Sequence, residues 1–358
     1  MLDMDVVTLH QALVAIPSLS HQEKEAADFM ERHLSEAGLR VTRYEDNIVA
    51  EWGEIASEGS RTLLLNSHLD VVPPSSNHPF PPFEPTIQDG KIFGRGAVDA
   101  KASVASMATA VCRLASKGYA PDGKIVLAFT TCEETGGEHN GLEQIAKKLP
   151  KAHAALVGEP THMQPCVAQK GLLILRLDAN GSSCHAARAE EGQNAISMMV
   201  RDISRLENYL FDRVHPYLGT TTANVTVIEG GTARNVIPDL CHAFVDIRST
   251  PSYTHDEIAE LLQAQLESHV HIHSKRFLPV DTAPGEAIVQ ACLSGSPNSE
   301  AFGSPTMSDW IHLKDIPTVK IGPGDSRLSH TADEHVEIEE LVESCDKYEQ
   351  IIKAYFQA

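Results

Sequence analysis

The chain has 358 residues, 42% of them hydrophobic, and a formal charge of −20 from 29 basic and 49 acidic side chains. That length accommodates two domains and a large core, and an acid excess of this size argues against nucleic acid, which demands a basic face. No stretch approaches the ~20 apolar residues of a membrane span, and the acidic start Met1-Leu2-Asp3-Met4-Asp5 reads as neither signal nor transit peptide.

Ser20-His21-Gln22-Glu23 has capping-box spacing and predicts a helix running to about Leu39, ended by Gly38. Val41 to Trp52 reads as strand with a polar turn at Glu45-Asp46-Asn47. The apolar run Arg61 to Ser67 predicts a buried parallel strand ending at His68. Pro73 to Pro85 is proline-rich and must be loop. Val98 to Leu114, rich in Ala, Met and Val, predicts a buried helix, and Lys124 to Thr131 a second strand, ending before Glu133. Ala154 to Gly158 makes a third strand, ending at Glu159. Alternating strand and helix predict a layered, mostly parallel α/β sheet with helices on both faces.

After Glu159 the pattern becomes strand (Leu172–Ala179), helix (Asn194–Phe211), two strands (Thr222–Ile228, Cys241–Arg248), helix (Asp256–Leu266) and strand (Val270–Phe277). This β-α-β-β-α-β order is that of a ferredoxin-like unit. The layered pattern resumes with strand Thr318–Gly322 and helix Val336–Phe356. Residues 171–277 are therefore expected as an insertion in a discontinuous catalytic domain, residues 1–170 and 278–358. Seven widely spaced cysteines with no Cys-x-x-Cys pair favour reduced thiols and a cytoplasmic chain.

Chemistry in open α/β sheets collects beyond the carboxyl ends of the strands, where this chain places acids and histidines. His68 suits a metal ligand. Asp70, two residues on, shares its face and can hold the imidazole from behind, fixing its tautomer. Asp99 follows a Gly-Arg-Gly turn and is short enough to bridge two ions. Glu134 and Glu159 end neighbouring strands, and His330 sits in the Gly-rich loop that starts at Gly322. Three carboxylates offset most of the charge of two divalent ions; without metal, like charges ~4 Å apart repel by about 4 kcal/mol at an effective dielectric of roughly 20. Glu133, next to Glu134 but facing the other way, is left free as general base. Alone, His-x-Asp or Glu-Glu is usually solvated surface; their order and strand-end placement make the joint case.

Ser67-His68-Leu69-Asp70, Gly94-Arg95-Gly96-Ala97-Val98-Asp99, Glu133-Glu134-Thr135-Gly136-Gly137, Gly158-Glu159-Pro160 and Ser329-His330-Thr331-Ala332-Asp333-Glu334 resemble the M20 family of di-zinc aminoacylases and exopeptidases. The nearest branch is the acetylornithine deacetylases and succinyl-diaminopimelate desuccinylases, to which Thr306-Met307-Ser308-Asp309 adds. The resemblance implies two zinc ions, cobalt being an alternative. His68 and Glu159 would hold one, Glu134 and His330 the other, and Asp99 would bridge them. Glu133 would be base and then acid. It implies a homodimer in which the inserted domain's His185 reaches the partner's active site, and a substrate held through Asn235, Arg248 and Gly322.

The expected activity is release of an amino acid from a small N-acyl form, N²-acetylornithine being the first choice, as in arginine biosynthesis. Rivals are N-succinyl-ornithine, succinyl-diaminopimelate, acetylcitrulline or acetyl-lysine as substrate, dipeptidase activity, or a catalytically silent scaffold. Loss of Glu133 or of a ligand would signal the last, and none is lost.

Overall fold

The computed structural model describes residues 4–57, 59–136, 139–295 and 300–358; Gly137 of the expected Gly-Gly pair lies outside them. The chain separates into two compact units. One comprises Met1–Val167, Thr282–Phe302 and Ser308–Ala358, the other Ala168–Asp281 and Gly303–Met307.

The first unit is built on a sheet of order β1-β2-β4-β3-β5-β6, with β1 Arg40–Tyr44, β2 Asn47–Gly53, β3 Arg61–His68, β4 Gly123–Thr130, β5 Ala154–Val157 and β6 Thr318–Lys320. The β1–β2 hairpin turns at Glu45-Asp46 and pairs antiparallel with β4. From β4 through β3 and β5 to β6 every pairing is parallel. These four strands therefore deliver their carboxyl ends to one edge. Their runs are apolar because both faces are covered: every residue of β3 after Arg61 is buried. Glu134 and Glu159 do not follow adjacent strands as expected; β3 lies between β4 and β5, so His68 emerges between the two acids.

The described helices of this unit include α1 Val6–Val14, α2 Lys24–Glu36, α3 Lys101–Ser116, α4 Ala287–Gly295 and α5 Ile338–Gln357. α3 consists largely of small residues and is buried all round except at Cys112, Arg113 and Ser116, the pattern of a central helix. It packs against β3 and β4 and against α1 and α5, while α2 lies on the β1–β2 hairpin.

The expected capping box at α2 does not form. Glu23 is itself the N-cap and makes no side-chain cap bond. Its carboxylate accepts instead from the His21 and Cys132 backbone N–H groups, both at 3.0 Å, and Ser20 Oγ donates to Asp70 at 2.8 Å. Spacing suited to a helix start serves the strand-end loops instead.

The second unit contains the β-α-β-β-α-β order. Strands Gly171–Asn180, Thr222–Gly230, Leu240–Ser249 and His269–Phe277 form an antiparallel sheet. Alternate residues Leu173, Leu175, Leu177, Cys241, Ala243, Val245 and Ile247 are buried with residues of helices Ala195–Glu207 and His255–Gln263. The intervening residues, Ile174, Arg176 and Phe244 among them, are only partly buried, as a one-sided sheet requires.

Candidate metal centre

His68 closes β3 with its side chain 1% exposed. Its Nδ1 lies 2.9 Å from the Asp70 backbone carbonyl. A carbonyl only accepts, so Nδ1 carries a proton and Nε2, which faces Asp99, is the nitrogen that would meet a cation. The Asp70 carboxylate is 3.4 Å from Nδ1, and its main engagement is elsewhere: it accepts from the Glu133 and Glu134 N–H groups, both at 3.1 Å. Asp70 thus ties the end of β3 to the turn after β4.

Nε2 of His68 sits 3.2 Å from Asp99 and 3.9 Å from Glu159. On the other side, His330 Nε2 lies 2.9 Å from Glu134 and 3.6 Å from Asp99. Asp99 is the shared neighbour of the two groups. Donor atoms of His68, Asp99 and Glu134 all lie within 4.8 Å of one another. The turn before Asp99 needs Gly96, whose φ of 80° is left-handed and where a Cβ would collide with Val71. Gly322 is buried, and a Cβ there would strike Ser103 and the Glu159 carbonyl, so a glycine is required for the β6 loop to approach the end of β5.

Burial, then the charge of Asp99, pushes the Glu159 carboxyl up to about 8. Glu133 is held well above the ordinary carboxyl range by burial first, with Glu159, Asp309 and Glu134 adding to the effect against the pull of His68. Glu134 is raised by burial and Asp99, opposed by its bond to His330. For His68, burial opposes the imidazolium, but Asp70 and Asp99 outweigh it and raise its pKa. Closely packed buried acids short of positive charge, beside a tautomer-fixed imidazole, fit a divalent cation. His68, Asp99, Glu134, Glu159 and His330 are the residues present to hold one or two.

Four buried residues went unassigned in the sequence although three of them, Arg95, Asp309 and Glu334, lie inside the quoted motifs. Arg95 and Glu334 pair with each other beneath the Asp99 turn. Asp309 accepts from Thr130 at 3.0 Å and Asn140 at 2.6 Å. Lys101 donates from Nζ to the Ile16 carbonyl at 2.7 Å, and burial lowers its pKa to about 7.

The remaining candidates lie in the second unit. His185 and Val236 form an isolated antiparallel bridge, and the Ala186 N–H donates to the Asn235 carbonyl at 2.9 Å, so His185 and Asn235 are neighbours. The His185 ring is exposed and its Nδ1 accepts from the Ala187 N–H. Arg248 forms a two-pronged contact with Asp246, at 2.9 and 3.1 Å.

Parallel strands that deliver histidines and carboxylates to one edge, in a chain that also folds a separate one-sided sheet, are the architecture of a metallohydrolase. The particular family follows from the chain as a whole: residues 64–354 match the model of Peptidase family M20/M25/M40, and the chain belongs to that family. It is 30% identical to a peptidase M20 domain-containing protein of Schizosaccharomyces pombe, over 97% of this chain and 84% of the relative. It is also 30% identical to a succinyl-diaminopimelate desuccinylase of Cereibacter sphaeroides, over 99% of each chain. Aminopeptidase PepT from Bacillus cereus shares the fold, with a TM-score of 0.79 at 23% identity and 98% of each chain covered.

Proposed function

We propose that this protein is a divalent-metal-dependent amide hydrolase that frees an α-amino acid from its N-acyl form. The observation that carries the reading is the convergence of His68, Asp99 and Glu134 within 4.8 Å, with Glu133 half-buried beside the same charges. In this reading His68 and Glu159 would hold one ion and Glu134 and His330 the other, with Asp99 available to both. A bound dication supplies Lewis acidity toward the amide carbonyl and makes water acidic enough to attack near neutral pH. Glu133 takes the proton from the attacking water and delivers it to the leaving nitrogen, so the amine departs neutral. Asp70 holds the Glu133–Glu134 backbone while this happens.

We assign residues 171–277 to a lid and dimerisation domain, in which His185 donates to the oxyanion in the partner's site. Asn235 and Arg248 bind the substrate carboxylate, for which Arg248 must exchange Asp246 for the ligand, keeping a two-pronged geometry. Gly322 shapes the floor by letting its loop reach Glu159. Seven cysteines outside any disulfide support a cytoplasmic location, and no described helix is long and apolar enough to cross a membrane. Zinc is the proposed metal, with cobalt able to replace it.

Likeness to a desuccinylase supports a succinyl group, and N-succinyl-diaminopimelate is the first substrate to assay. N²-acetylornithine, the first choice from the family resemblance, is the second. The test is kcat/KM on these two, N-succinyl-ornithine, acetylcitrulline, acetyl-lysine and a tripeptide, with zinc or cobalt added. A tenfold preference, about 1.4 kcal/mol of transition-state binding, identifies the acyl group. Turnover of the tripeptide alone would overturn the N-acyl reading.

A further inference from the structure

We infer that Glu334 and Arg95 are positioning residues that set Asp99 and His330 relative to each other; this rests on the proposed metal centre. Glu334 is 2% exposed and Arg95 2% exposed. One carboxylate oxygen of Glu334 accepts from the Val98 and Asp99 N–H groups, both at 3.1 Å. The other pairs with Nη1 of Arg95. The second terminal nitrogen of the same guanidinium donates to the His330 carbonyl at 3.2 Å. A backbone bond from Gly94 N–H to the Glu334 carbonyl, 3.1 Å, closes the connection.

One buried ion pair therefore grips the backbones of two segments 231 positions apart, each carrying a proposed ligand. With both its oxygens engaged by N–H donors and a cation, Glu334 is committed to holding rather than ligation. His330 needs such support: its side chain is 52% exposed, so packing does little to fix it, and its φ of 65° is left-handed. Asp99 needs it because a carboxylate shared by two ions must keep its direction. A buried ion pair is often no more stabilising than apolar residues of the same volume. What an apolar pair cannot do is accept two N–H groups and donate to a carbonyl at once. Groups that orient ligands from behind typically account for 10–100-fold in metal affinity.

Glu334→Gln keeps an oxygen for Val98 and Asp99 but turns an amide N–H₂ toward Arg95, breaking the connection between the loops. Arg95→Lys keeps the charge but replaces a fork with one ammonium, which cannot serve Glu334 and the His330 carbonyl together. The experiment is chelator competition with zinc and with cobalt on wild type and both variants, alongside the Tm of the metal-free proteins and kcat and KM at saturating metal. Each variant should bind at least one ion tenfold or more weakly, with KM unchanged and kcat largely recovered once metal saturates. Variants with wild-type affinities and only a lower Tm would overturn the inference, leaving the pair as scaffolding. Wild type that binds no metal would overturn the proposed centre as well, so the two failures are distinct. Should Glu334→Gln not fold, Arg95→Lys decides.

Discussion

The loops beyond β3 and β4 and the second unit hold their proposed functional residues in opposite ways. In the first unit, buried carboxylates grip backbone N–H groups far away in sequence: Asp70 holds Glu133 and Glu134, Glu23 holds Cys132, and Glu334 holds Val98 and Asp99. In the second, His185 is exposed and its ring bonds only two residues along, to Ala187. Arg248 likewise pairs two residues back, with Asp246. Distant, buried bonds preorganise a site; short-range, solvent-accessible ones leave side chains free to change partner. The contrast suits a fixed metal centre and a responsive substrate grip.

The sharpest way to break this comparison is Glu133→Ala. If Glu133 carries the proton transfer, kcat should fall by about 10²–10⁴-fold or more, with metal content by elemental analysis unchanged. Loss of the metals would instead make Glu133 a ligand.

Acid tests the buried side of the same unit. His10 lies wholly inside, its Nε2 2.7 Å from the Ala97 carbonyl in the Asp99 turn, and burial lowers its pKa to about 4. The unfolded chain, with a histidine pKa near 6.5, binds a proton that the folded chain refuses. Stability is therefore complete above about pH 6.5 and declines as pH falls toward 4, by about 3 kcal/mol at most. Urea melts should show this slope in wild type and a shallower one in His10→Gln, whose amide can keep the bond to Ala97 without titrating.

Asp70→Asn sharpens the comparison in a different way. An amide retains one oxygen for two N–H groups and turns a donor toward the other, so metal affinity and kcat should each fall about 10–100-fold, read by chelator competition and initial rates. Arg248→Ala in the responsive unit should raise KM about tenfold and leave metal binding alone. Its Tm should move little, because a solvent-accessible ion pair between residues two apart contributes about 0–1 kcal/mol. A large Tm loss there would erase the distinction between the units.

Much of the first unit is legible in the sequence because apolar runs with polar ends mark buried strands and place His68, Glu134 and Glu159 at one edge. Periodicity does not encode strand order, so it could not reveal that β3 separates the two acids. Nor could it find Glu334 as a partner of Asp99: the bond joins residues 235 apart and leaves no local spacing. Ser20–Glu23 shows the converse error. Its local spacing is real, but the Glu23 and Ser20 side chains are drawn to Cys132 and Asp70 across the fold, a tertiary demand that outweighs a helix cap worth about 1 kcal/mol.

In the proposed reading, hydrolysis depends on divalent metal held by His68, Asp99, Glu134, Glu159 and His330. Metal content of the purified protein, followed during chelator stripping and stepwise zinc or cobalt return while hydrolysis of N-succinyl-diaminopimelate and N²-acetylornithine is recorded, tests it most directly. Binding should saturate at two ions per chain, with activity lost on stripping and regained as they return. Undiminished hydrolysis in excess chelator, with no tightly held ion, would contradict that reading.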